Sequence, residues 1–285
     1  MNGLLSYIRL SARSVRAFAV YLVGGPGGTE DNPVFISTFP EALTNPQNQG
    51  WFNDFLVNGA PTQSPSTVIY PGNLRSEAVG TGSGLSESAN GVNVANKAHG
   101  VNRMATGTTT TGWTAISSGQ GGVMLGIGRT ELGCRLFFSG PGVANDDFFF
   151  DFGYHDTLNG TTKNPIDGAF FRYDRAVDGA FWTCITADLS DSDPTNPTNT
   201  TKTVTAVPVK ASATVTDVMQ RLVILVNDDA SAISFYIDDV LVATHTTNTP
   251  QIRNMGLGAR IAKVNGTTSF TAYLDYIYEQ YSLAR

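Results

Sequence analysis

Phe148, Phe150 and Phe152 recur at every second position of the run Asp147-Phe-Phe-Phe-Asp-Phe-Gly-Tyr-His-Asp156. A period of two places three rings on one face of an extended strand, which a helix cannot do. Phe171 and Tyr173 share that spacing in Asp167-Gly-Ala-Phe-Phe-Arg-Tyr-Asp174, where Asp167-Gly168 is a tight-turn signal just ahead of the strand. Phe181-Trp-Thr-Cys-Ile185 follows. Closely spaced aromatic strands, separated by glycine and aspartate, describe an all-β sandwich. Phe149 and Phe170 compete with their neighbours for the inner face of these strands.

The other apolar segments agree. Arg221-Leu-Val-Ile-Leu-Val-Asn227 is nearly continuous and predicts a central strand with Leu222, Ile224 and Val226 buried. Ile233 to Ile237 alternates, turns at Asp238-Asp239 and continues to Ala243 as a hairpin. Gln251 to Lys263 and Ala272 to Tyr281 supply two more strands, the last with apolar or aromatic groups on both faces. Trp113 to Ile116, Val123 to Ile127 and Cys134 to Phe138 are strands ahead of the aromatic block. The expected core comprises Phe150, Phe152, Phe171, Trp182, Leu222, Ile224, Val226, Phe235 and Ile237. After residue 30 no window carries a capped apolar stripe of helical period, so a helical layer is not expected.

At 285 residues the chain suffices for one large sandwich with an additional segment. Residues 1–28 read as an arm and a glycine-rich joint, 29–70 as an extended connection with first strands, and 71–285 as the sandwich. The arm is basic and apolar: Arg9, Arg13 and Arg16 stand among Leu4, Leu5, Ile8 and Phe18, with no acidic residue before position 30. It is expected to pair these arginines with acidic groups of a partner and to fill apolar pockets with the other four. It does not read as a secretory signal, because its apolar run Ala17 to Val23 is short and no Ala-x-Ala site follows. Residues 72–112 are poor in large side chains, and the Thr-rich piece 106–111 suits an exposed edge or loop. Asp188 to Thr203 reads as a solvent-exposed hairpin or loop.

Charge and cysteine content restrict the function classes. Only 15% of residues are charged, where about 25% is usual, and Thr, Ser, Asn and Gly fill the deficit. A net charge of −6 argues against nucleic acid as the main partner. No apolar run approaches a membrane span. Cys134 and Cys184 read as small buried thiols, with a single disulfide as the alternative.

The order of strands, from Asp147–Gly153 through Asp167–Asp174, Trp182, Arg221–Asn227 and Ser234–Ala243 to Tyr273–Tyr278, resembles the concanavalin A-like lectin/glucanase sandwich. Within that group it resembles the laminin-G-like variants common in tailed-phage virion proteins. The resemblance spans about residues 110–285 and implies a two-sheet antiparallel jelly roll with an extended N-terminal arm. It further implies a non-enzymatic virion structural protein, a capsid-decoration or fibre protein, held by its arm to capsid or tail subunits. A homo-oligomer, with a trimer ahead of a dimer, is expected by the same analogy. The alternative is a carbohydrate-binding receptor-recognition module or a glycan hydrolase of the host surface.

Glucanases of this fold present alternate glutamates and an aspartate from one strand, and hydrolysis in general needs two carboxyl groups about 5 Å or about 6.5–9.5 Å apart. Asp146, Asp147, Asp151, Asp167, Asp174, the Asp238-Asp239 turn, Glu77 and Glu87 do not form the glutamate pattern. The three histidines are His99, His155 and His245. Only His155, beside Asp156, suggests a His–Asp pair, and a surface hydrogen-bonded histidine is the plainer reading. No nucleophile elbow, zinc spacing or phosphate loop is present. Asp146, Asp147, Asp151 and Asp156 are candidate oxygen ligands for Ca2+ at one sandwich edge, the one cofactor the sequence suggests.

Overall fold

The computed structural model describes residues 20–22, 34–36, 48–53, 69–70, 74–87, 101–118, 123–140, 146–156, 167–188, 200–210, 219–250 and 254–282. In chain order the strands are β1 (Val20–Leu22), β2 (Val34–Ile36), β3 (Asn48–Asn53), β4 (Ile69–Tyr70), β5 (Leu74–Val79), β6 (Ser83–Glu87), β7 (Asn102–Thr106), β8 (Trp113–Ser117) and β9 (Val123–Met124). They continue as β10 (Thr130–Phe138), β11 (Asp147–His155) and β12 (Gly168–Asp174). A single helical turn, α1 (Arg175–Asp178), leads into β13 (Phe181–Ala187), β14 (Thr200–Pro208), β15 (Gln220–Val226), β16 (Ile233–Ile237), β17 (Val240–His245), β18 (Asn254–Asn265) and β19 (Thr271–Ser282).

These strands form two large antiparallel sheets. One runs β17-β16-β15-β10-β19-β7-β6, with β3 also pairing β19. The other runs β14-β13-β12-β11-β18-β8-β5-β4, with β9 also pairing β18. β1 and β2 pair only with each other among the described residues. The all-β two-sheet sandwich read from the sequence is the observed fold.

Alternation decides which side chains enter the core. Phe148, Phe150, Phe152 and Tyr154 of β11 point inward with Phe171 and Tyr173 of β12, Trp182 of β13 and Ile261 of β18. Leu132, Cys134, Leu136 and Phe138 of β10, and Leu222, Ile224 and Val226 of β15, meet them from the opposite sheet. All nine residues expected in the core are buried there. Phe138 is the bridge between layers: its ring centroid lies 5.1 Å from Phe150, 5.4 Å from Phe148, 5.6 Å from Tyr173 and 5.9 Å from Trp182. Cys134 and Cys184 are buried free thiols.

The hairpin turn at Asp238-Asp239 is also observed. Both residues have positive φ, 49° and 67°, the signature of a two-residue turn whose twist matches the flanking strands. β19 carries apolar or aromatic groups on both faces, as its sequence indicates. Leu274 and Ile277 enter the core, while outward Tyr273 stacks on Phe137 at 4.5 Å. Outward Tyr278 lies over Gly133, where a Cβ would meet its ring, donates to Glu131 Oε1 at 2.7 Å and accepts from Arg221 at 3.0 Å. These outward rings find partners within their own sheet.

Three local readings change. Thr106 is a buried end of β7, not part of an exposed edge, and its hydroxyl accepts from the Phe270 amide at 3.0 Å. The strand expected over 123–127 stops at Met124, because Gly126 with φ 87° starts a turn. Thr200 to Thr203 belongs to β14, an edge strand whose threonines suit a half-solvated ladder. Only the strand pairing of β1 is described within the arm; Leu4, Leu5, Ile8, Arg9, Arg13, Arg16 and Phe18 lie outside the described residues.

Two buried histidines give the fold a pH dependence. His245 closes the sandwich edge, with Nδ1 at 3.0 Å from Thr186 Oγ1 and Nε2 at 2.9 Å from Thr203 Oγ1, and burial lowers its pKa. Burial pushes the His155 imidazole down to about 3, opposed by Asp151 and reinforced by Arg260 and Arg172. The folded state favours the neutral form of both rings, and the unfolded chain takes up a proton more readily. Their contribution is therefore fully present above about pH 6.5 and is lost as pH falls toward the folded values. Denaturant unfolding at pH 5 is expected to show about 2 kcal/mol less stability from His155 alone than at pH 7.5. His155→Phe should flatten that slope, and an unchanged slope would contradict the assignment.

Candidate functional site

The outward side of the nine-stranded sheet is unusual because it is buried and charged at its centre. Strand alternation turns Phe149, Asp151, Gly153 and His155 outward from β11. It does the same for Gly168, Phe170, Arg172 and Asp174 of β12, and for Gly256, Gly258, Arg260 and Ala262 of β18. In register, Asp151 faces Arg172 on one side and Arg260 on the other. Arg172 donates from Nε to Asp151 Oδ1 at 2.7 Å and from Nη2 to Oδ2 at 2.9 Å, and Arg260 Nη2 donates to Oδ2 at 2.6 Å. Asp151 and Arg260 are fully buried.

Aromatic rings flank this triad. The Arg260 guanidinium lies 4.9 Å from the Phe149 centroid, and Arg172 sits between Phe149 at 5.5 Å and Phe170 at 5.1 Å. Guanidinium planes against ring faces gain cation–π attraction that strengthens with desolvation. Phe149 and Phe170 thus lose the competition for the core and hold the arginines from outside. Trp113, Ala115 and Ala262 continue the apolar part of this face beside Phe149.

The electrostatics are set by the pairing. Burial alone would raise the Asp151 carboxyl, but Arg172 and Arg260 outweigh it and hold the group far below the usual carboxylate range. Burial likewise opposes the charge on Arg172, and Asp151 more than restores it. At the margin, Lys202 Nζ pairs with Asp178 Oδ1 at 2.5 Å, and Thr183 donates to Asp178 Oδ2 at 2.9 Å.

His155 ends β11 on this face, 1% exposed, with its ring 4.5 Å from that of Phe170. It is not the surface histidine that its strand-end position suggests, and among the described residues neither ring nitrogen has a hydrogen-bond partner, so no His–Asp156 pair forms. The floor beside it is glycine. Gly153 and Gly258 face each other in register with φ of 155° and 154°, and a Cβ on Gly258 would lie 2.0 Å from the Ile116 carbonyl oxygen. Only glycine fits that approach.

The calcium candidates do not converge. Asp146 and Asp156 lie at opposite ends of β11, roughly 30 Å apart at strand rise, and Asp151 is occupied by its arginines. Asp146 accepts from the Thr268 amide at 3.1 Å, and Asp147 Oδ1 from the Phe148 amide at 2.8 Å. Among the described residues no group of three His, Cys, Asp or Glu side chains is placed to hold a metal. No helix among them is long and apolar enough to cross a membrane.

No protein-family model matches the chain, and no curated protein matches it. Solved structures do. One is a protein of unknown function from Shewanella oneidensis MR-1, 12% identical, covering 88% of this chain and 97% of that one, with a TM-score of 0.52. Another is the endo-β-1,4-glucuronan lyase of the fungus Trichoderma reesei, 11% identical over 82% and 95%, TM-score 0.49. A third is the Bacillus licheniformis β-glucanase, 13% identical over 82% and 98%, TM-score 0.45. The fold is a concanavalin A-like jelly roll of the lectin/glucanase type. The virion-specific part of the expectation is corrected: the similar structures include carbohydrate-active enzymes, and this set runs against a non-enzymatic capsid-decoration or fibre protein. The expectation of no enzymatic activity is set aside with it.

Proposed function

We propose that the chain is a carbohydrate-active domain, one that recognises a glycan and acts on it. The observation that supports this reading is its two-sheet jelly roll of the lectin/glucanase type. The triad of Asp151, Arg172 and Arg260 is buried, so it serves the framework by tying β11, β12 and β18 together and is not an open binding surface.

A panel of oligosaccharides, read both for binding and for release of reducing ends, tests this reading. Saturable binding to the full chain, with release of reducing ends from at least one member, is expected. Absence of binding across the panel would refute the function.

A further inference from the structure

The large apolar side chains that reach the surface are unevenly placed. Of the seven exposed among the described residues, five lie along one side of the sandwich. Val177 of α1, Phe181 of β13 and Val204 of β14 flank that side at the nine-stranded sheet, 62%, 39% and 49% exposed. Val240 and Leu241 of β17 flank it at the eight-stranded sheet, 63% and 53% exposed. Both sheets end here: among the described residues β14 pairs only with β13, and β17 only with β16. Polar contacts across the seam tie the two edges into one surface. His245 of β17 meets Thr203 of β14 at 2.9 Å, and Lys210, just after β14, meets Asp238 of the β16–β17 turn at 3.4 Å.

A strand edge flanked by exposed apolar groups is a surface that folded proteins protect or cover. β14 carries two protections, Lys202 and Pro208, the latter without an N–H to donate. They disfavour open-ended strand addition and leave side-chain packing as the means of contact. The charges then select the partner. The ion pairs along this side are Lys202–Asp178, Lys210–Asp238 and Arg221–Asp239, each with at least one member open to solvent. A partner of one charge sign meets as much repulsion as attraction from them. A copy of the same side, turned about a two-fold axis, can meet each cation with an anion. The nine residues of β14 extend about 30 Å, and the side is two sheets deep, enough for the roughly 800 Å² per partner of a specific interface.

We propose that this side of the sandwich is a dimer interface, on which a second copy of the chain packs about a two-fold axis. Val177, Phe181, Val204, Val240 and Leu241 form its apolar part, inside a rim of ion pairs that the two copies can exchange. The inference is independent of the glycan-binding reading, and it favours a two-fold assembly over the trimer expected by analogy.

Sedimentation velocity of the full chain, over a hundredfold range of concentration centred on about 10 µM, tests this. A reversible monomer–dimer equilibrium is expected. Val204→Lys combined with Leu241→Lys should weaken the dimer about tenfold or more, because four ammonium groups then enter the apolar contact. Val79→Lys combined with Ile127→Lys, which charges the two exposed apolar residues lying elsewhere, should leave it unchanged. Cooperative denaturant unfolding confirms that each variant is folded. If the first pair does not fold, Val177→Lys, on the helical turn and outside any strand, takes its place with the same expected direction. A monomer at every concentration overturns the inference. So does a dimer that the Val204 and Leu241 variant leaves intact, one that both variant pairs weaken equally, or a trimer as the smallest assembly.

Discussion

Asp151→Ala should cost the protein about 3–5 kcal/mol of stability, one of the two largest effects expected of any single substitution here. The carboxylate is the shared partner of two arginines, and Arg260 is fully buried. Removing it strands two cations side by side in a region of low polarity, so each loses its compensation and repels the other. The pair's own net contribution is a different quantity. Replacing all three groups, as in Asp151→Ala combined with Arg172→Met and Arg260→Met, should therefore restore much of the loss, because no buried charge remains. Urea unfolding of the single and triple variants checks this. A single variant within about 1 kcal/mol of the parent would show that the triad is far better solvated than its burial indicates.

Phe138→Ala should cost a similar amount, about 3–5 kcal/mol, by a different mechanism. Its ring reaches from β10 to Phe148, Phe150, Tyr173 and Trp182 across the sandwich. Truncation removes ring burial and opens a cavity bounded by rings held in two rigid sheets, which cannot collapse to fill it. Phe181→Ala is the control. That ring, on the outward side of β13, is 39% exposed, and its loss should stay within about 0.5 kcal/mol. Equal losses at the two positions would contradict the assignment of the inner face.

Much of the fold was legible because its determinants are local. A period of two over Phe148, Phe150 and Phe152 is enough to define an inner face, and Asp238-Asp239 marks its own hairpin within six residues. The arrangement of the site was not legible, because its pairs are remote. Asp151 meets Arg172 twenty-one positions on and Arg260 one hundred and nine positions on. Only the register of β11 with β12 and β18 brings them together. Read alone, Asp151 looked like a strand aspartate available to a cation. His155 looked like a surface residue for the same reason, since its glycine neighbours Gly168 and Gly256 come from other strands. One signal was present: Phe149 and Phe170 are large rings on the face opposite the core, and such rings need something to pack against. The functional expectation failed for another reason. It came from the resemblance to virion proteins, and a shared fold does not by itself carry a function.

The central claim is that the chain binds a glycan, and calorimetric titration of the full chain with a panel of neutral and acidic oligosaccharides tests it most directly. The expected result is saturable binding of at least one member of the panel. Absence of binding to every member would contradict the account.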